Sequence, residues 1–132
     1  MRTIIALLLA LVCGLAHAQT SQLAAFSPAG NTVPLTANTS GNLPTPVQVL
    51  GCGTGQNCQY LISNTGVNNA CVSYGTSANA TANAVIPSGT GSFCTWAMAG
   101  TQIIISTGYN SYFCAITGSG TSVLGIQAGV GE

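Results

Sequence analysis

From residue 19 onward, no stretch of this chain keeps a helical period over the roughly eleven residues that a helix assignment needs. What recurs instead is a short run, apolar or alternating and rich in β-branched and aromatic residues, closed by Gly, Asn or Pro. That punctuation predicts strands over residues 23–26, 32–37, 47–50, 59–64 and 70–75. It predicts five more over 84–86, 92–98, 101–107, 111–117 and 122–127. Pro34 marks the second of these as an edge strand or a broken one, because proline cannot donate to a ladder. Residues 65–69 read as a hairpin connection, and residues 76–83 as a polar, Ala-rich loop. The run Ile103-Ile104-Ile105 reads as a strand covered on both faces. Eight to ten short strands at this spacing predict an all-β fold, an antiparallel β-sandwich, jelly roll or small barrel.

A length of 132 residues gives room for one domain, and neither an internal repeat nor a long linker divides it. Residues 19–132 are therefore expected to form a single β-sandwich domain. Residues 1–18 stand apart. Arg2 supplies one positive charge, residues 4–12 are an apolar run, and Ala16-His17-Ala18 gives a small–x–small pattern before Gln19. This is the layout of a secretory signal peptide, with a run short for a membrane span, so membrane contact would be transient. A hydrophobic N-terminal arm that is never cleaved, or lipidation at Cys13, are the alternatives.

Past residue 18 the chain contains no Lys, Arg, His or Asp, and its one carboxylate side chain is the final residue, Glu132. Charged residues make up 2% of the whole, against a usual share of about 25%. Serine, threonine and cysteine nucleophiles are plentiful, but no His or Lys is present to take their proton. One terminal carboxylate cannot do paired-carboxylate chemistry. Gly51-Cys52-Gly53-Thr54-Gly55 imitates a phosphate cradle in composition alone, since no Lys follows it. The expectation is a protein that is not an enzyme, with no catalytic residues, no cofactor and no small-molecule substrate. Nucleic acid is a poor partner without a basic footprint. Neutrality also removes the repulsion that keeps copies apart, which suits a subunit of an assembly. A secreted monomer solvated by hydroxyls and amides has the same composition.

Five cysteines follow residue 18. Cys52 and Cys58 bracket a short Gly-containing loop and form the first disulfide candidate. Among Cys71, Cys94 and Cys114 only one further bridge can form; these three can equally be small core residues. No metal site is expected, because there is no His and no close Cys-x-x-Cys pair. Trp96, Tyr109 and Tyr112 are candidate contact aromatics for a glycan. The competing expectation places Trp96 in the core with Phe93 or Phe113, and Tyr109 in a turn.

The order of several segments also resembles a known group. Tyr60-Leu61-Ile62-Ser63-Asn64-Thr65-Gly66 leads into Asn69-Ala70-Cys71-Val72-Ser73-Tyr74-Gly75-Thr76-Ser77. Pro87-Ser88-Gly89, then Tyr112-Phe113-Cys114-Ala115-Ile116, then a glycine-marked ending from Gly120 to Glu132 follow. Over about residues 30–132 this resembles small virion proteins of tailed bacteriophages, of the capsid decoration or cement kind. The resemblance implies a β-sandwich or jelly-roll subunit that acts as a homo-oligomer and binds the major capsid protein lattice, with no catalytic residues. It implies localisation in the virion, where a leader is not needed; residues 1–18 would then be an uncleaved arm. The alternative is an exported, disulfide-containing bacterial surface or fibre subunit that recognises glycans and is secreted or held at the cell surface. A third expectation, from the Asn, Gln, Gly and Thr content and the Ile103–Ile105 run, is a cross-β fibre.

Overall fold

The computed structural model describes residues 26–39, 45–52, 58–84 and 94–131. The leader-like segment, Cys13, Phe93, Glu132 and the centre of the Gly51–Gly55 run lie outside them, as does most of the expected strand at 84–86. Among the described residues are nine strands and one short helix, so the protein is all-β. The strands are β1 (Phe26–Pro28), β2 (Val33–Thr39), β3 (Val47–Gln48), β4 (Cys58–Asn64) and β5 (Ala70–Gly75). After the helix α1 (Ser77–Asn83) come β6 (Thr95–Ala97), β7 (Gln102–Gly108), β8 (Tyr112–Thr117) and β9 (Ser122–Gly131).

The strands hydrogen-bond in the order β6-β5-β8-β2-β9-β4-β7, with β1 added to β9 and β3 added to β8. β2 belongs to both halves of this arrangement. Its residues 33–37 pair antiparallel with β9, while Asn38 and Thr39 pair parallel with Ile116 and Thr117 of β8. Two facing halves are thereby joined into a nearly closed, barrel-like sheet. The short parallel pair makes the sheet mixed, where wholly antiparallel pairing was expected. The two ends of the path, β6 and β7, are consecutive in the chain and linked by a turn in which Thr101 N–H donates to Met98 O (3.2 Å).

Few sequence neighbours pair. Among the described strands, only β5 and β6 are consecutive in the chain and adjacent in the sheet. Residues 65–69 are therefore not a hairpin: β4 pairs with β7 and β9, whereas β5 pairs with β6 and β8. Pro34 sits where β2 has a ladder on its β9 side alone, so its missing N–H deprives no strand on the other side.

The alternating pattern of β4 turns Cys58, Tyr60, Ile62 and Asn64 inward. Tyr60 and Ile62 join Leu35, Phe113, Leu124 and Ile126 in the main core, where Tyr60 and Phe113 meet edge to face with centroids 4.7 Å apart. A second, smaller cluster of Cys71, Cys114 and Ile116 is covered by Ala80 and Ala84. That cover is the helix α1, where a loop was expected. Seven residues are too few to show a period, yet Thr76 caps the first turn by accepting from Asn79 N–H. Ala80 and Ala84 lie four apart, so both reach the same cluster.

β7 also departs from expectation. It is the last strand of the path, and Ile104 is 50% exposed while Ile103 and Ile105 are only partly buried against the core. Three successive isoleucines imitate a strand covered on both faces, but their β-branched shape fits an edge equally well.

Candidate functional site

One end of the barrel is organised by Asn64, the last residue of β4, which is 2% exposed. Its Oδ1 accepts from Gly66 N–H (3.0 Å), the Asx turn that an Asn-x-Gly sequence favours. The same oxygen accepts from the Ser122 hydroxyl (2.8 Å) at the start of β9. Its Nδ2 donates to Ala97 O of β6 (2.8 Å) and to Asn68 O (2.9 Å). Every donor and two acceptor positions of one amide are thus used inside the protein. Gly66 must be glycine here, because a Cβ would run into Ser122.

Further side chains extend this network across the loops. Asn68 Nδ2 donates to Thr121 O (2.8 Å), and Asn69 Oδ1 accepts from Ala99 N–H (2.9 Å). The Thr65 hydroxyl donates to Val123 O (3.1 Å). Hydrogen bonds tie the segments 65–69, 97–99 and 118–122 into one surface. An open groove of about 350 Å³ crosses it, lined by Val67, Asn68, Asn69, Trp96, Gly118 and Ser119.

Trp96 is 39% exposed and forms one wall of this groove, so it is not a core residue; Phe113 is. Val67 and Met98 are also exposed at this end. The site can offer an indole face, apolar tips, amides and a hydroxyl. None of its lining residues titrates near neutral pH.

The other candidate aromatics lie elsewhere. Tyr109 is 78% exposed in the turn after β7, at the opposite end of the barrel. There it borders a smaller cavity of about 140 Å³ with Val49, Leu50, Tyr60, Ser111 and the bridged Cys52 and Cys58. Tyr112 is partly buried against the second cluster. The three aromatics therefore do not form one platform.

Cys52 and Cys58 are joined in a disulfide, as their spacing suggests, and the second bridge joins Cys71 to Cys94. Cys114 belongs to neither bridge. It is buried beside Cys71 under α1, and that burial pushes its thiol upward, opposed by a backbone hydrogen bond at Ala115. Burial likewise pushes the Tyr60 phenol upward. Among the described residues, no cluster of three His, Cys, Asp or Glu could hold a metal, and no helix is long and apolar enough to cross a membrane.

Asn64, Asn68 and Asn69 did not stand out in the sequence as site residues. The available signal was Asn64-Thr65-Gly66, an Asx-turn spacing at the end of an alternating strand. Compared with known proteins, the chain matches no family model and no curated protein.

Proposed function

We propose that the protein is a non-enzymatic structural subunit of a virion, one that decorates or cements an assembled capsid lattice. The observation that carries this reading is the loop end. Its backbone is locked by the Asn64 network, and it presents Val67, Trp96 and Met98 to solvent. Residues 26–131 contain no charged side chain, so partners are met by shape, apolar tips and neutral hydrogen bonds. A subunit of this kind stabilises a particle by mass action, binding the assembled lattice and not the dissociated shell.

Peptide mass spectrometry of density-purified particles from the native source tests this. The reading expects the protein in the particle fraction at high copy number, with Val67→Asp lowering its occupancy. Its association should change less than about twofold as ionic strength rises, because no ion pair contributes. Recovery solely as soluble secreted protein would remove the reading.

A second reading is an exported surface or fibre subunit that recognises neutral glycans. The Trp96 groove favours it, since an indole face beside asparagine amides suits an uncharged sugar ring. The two disulfides accord with either reading, because virion and cell surfaces are both oxidising. Intact mass separates the two: a native chain starting at Gln19 favours export, and one starting at Met1 favours the virion.

A further inference from the structure

We propose that β7 is a dimerisation strand, and that two copies of the chain pair their β7 edges antiparallel about a two-fold axis through Ile104. The inference goes beyond the capsid reading and does not depend on whether the protein is carried on a particle or exported.

The first observation is an unguarded edge. Among the described residues no strand pairs with the outer side of β7, which ends the sheet path. Natural edges of this kind are blunted by charge, proline, a bulge or short length. β7 runs for seven residues without a charge or a proline. Its register with β4 is unbroken from Gln102 to Ser106, and the irregularity lies beyond, at Cys58 and Gln59. The opposite end of the path, β6, has only three residues.

The second observation is incomplete burial. Tyr60 and Ile62 of β4 are 0% exposed, yet Ile105 and Ile103 directly opposite them are only partly buried. Ile104, facing outward, is 50% exposed. The core thus opens at β7, and the side chains of an added strand would flank Ile103 and Ile105 on one face and Ile104 on the other. The Asn64 N–H to Thr101 O bond (2.9 Å) sets the phase of the β4–β7 ladder. By alternation, residues 103 and 105 turn their backbone groups toward β4, and residues 102, 104 and 106 turn theirs outward.

The third observation selects the occupant. In an antiparallel pairing centred on Ile104, Ile104 meets Ile104 of the second copy, Ile103 meets Ile105, and Gln102 meets Ser106. Apolar residues face apolar residues at the centre, and neutral polar residues meet at the flanks. The edge is therefore complementary to itself. With no charge in residues 26–131, identical copies do not repel as they approach. Pairing of the same surface on both copies closes after two and does not propagate.

Sedimentation velocity and cysteine cross-linking on the full-length protein test the proposal. Wild type is expected to pass from monomer to dimer between about 1 µM and about 1 mM. Ile104→Lys places like charges opposite one another and should weaken the dimer about tenfold or more, leaving the unfolding midpoint nearly unchanged. Cross-linking reads the register without relying on that variant. Across the axis the two residues 104 would have Cα atoms about 5.5 Å apart, within disulfide range. Two copies of residue 102 would lie about 13 Å apart, out of range. Ile104→Cys should therefore form covalent dimers under mild oxidation. Gln102→Cys alone should not, while an equal mixture of Gln102→Cys and Ser106→Cys should. A wild type that stays monomeric throughout, a dimer unaffected by Ile104→Lys, or Gln102→Cys dimers forming as fast as those of Ile104→Cys would each overturn the proposal.

Discussion

At one end of the barrel, the side-chain amide of Asn64 ties β4, β6, β9 and the 65–69 segment together through four hydrogen bonds. At the other, a covalent bond between Cys52 and Cys58 fixes the segment after β3 to the start of β4. The disulfide closes a loop of sequence separation 6, and chain entropy for so short a loop gives about 2 kcal/mol. Each hydrogen bond contributes only about 1 kcal/mol net, but removing the amide would leave several buried groups without partners, at about 1–3 kcal/mol each. The non-covalent tie therefore rivals the covalent one. Residues 26–131 have no ion pairs with which to join segments, and a buried, fully used amide serves that purpose instead.

Asn64→Leu should have the largest effect. It is expected to cost about 4 kcal/mol or more, because Ala97 O, Asn68 O, Gly66 N–H and Ser122 Oγ would all lose their partner. Denaturant unfolding followed by the single tryptophan, Trp96, measures it; a loss below about 1 kcal/mol would make the disulfide end the dominant tie. Replacing both Cys52 and Cys58 with Ser should cost about 2 kcal/mol. Hydrogen exchange in that variant should quicken around Val49 and Ser111 and leave the Asn64 end protected. Acceleration at both ends would show that they are coupled, and the double variant with Asn64→Leu would then fail to add.

Ser122→Ala should be milder, at about 1 kcal/mol, since one of the two donors to Asn64 Oδ1 is removed and Gly66 N–H remains. The smallest effect concerns pH. Cys114 and Tyr60 are both held neutral by burial, with folded values above the ordinary 9.0 and 10.0. Their contribution is fully present below those values and is lost as pH rises through the higher folded ones. Unfolding midpoints should therefore stay nearly flat from about pH 5 to about pH 8 and decline only in alkali. A decline between about pH 5 and about pH 8 would point to a titrating group other than Cys114 and Tyr60.

The strands themselves were largely legible in the sequence. Residues 59–64, 70–75 and 111–117 show alternating or apolar runs closed by turn residues, and strands form there. The Cys52–Cys58 bridge was legible because two cysteines six residues apart, with glycines between them, can close a short loop. α1 was hidden, since its stability comes from Ala80 and Ala84 packing on Cys114 and Ile116 and not from its own period. Trp96 was expected in the core by size, yet it lies on β6, a three-residue strand at the end of the path, where cover is incomplete.

By itself the sequence determined that this protein is a neutral, all-β body, because strand periodicity and missing charges are properties of residues and their near neighbours. Tertiary structure decided which strands pair, that β2 bridges the two halves, that β7 is an edge, and that Asn64 rather than another asparagine holds an end together. Those outcomes depend on contacts between residues far apart in the chain, such as Asn64 with Ser122. No local pattern specifies them, since the same alternating run can fill a central or an edge position, and only the packing of the whole sheet selects between them.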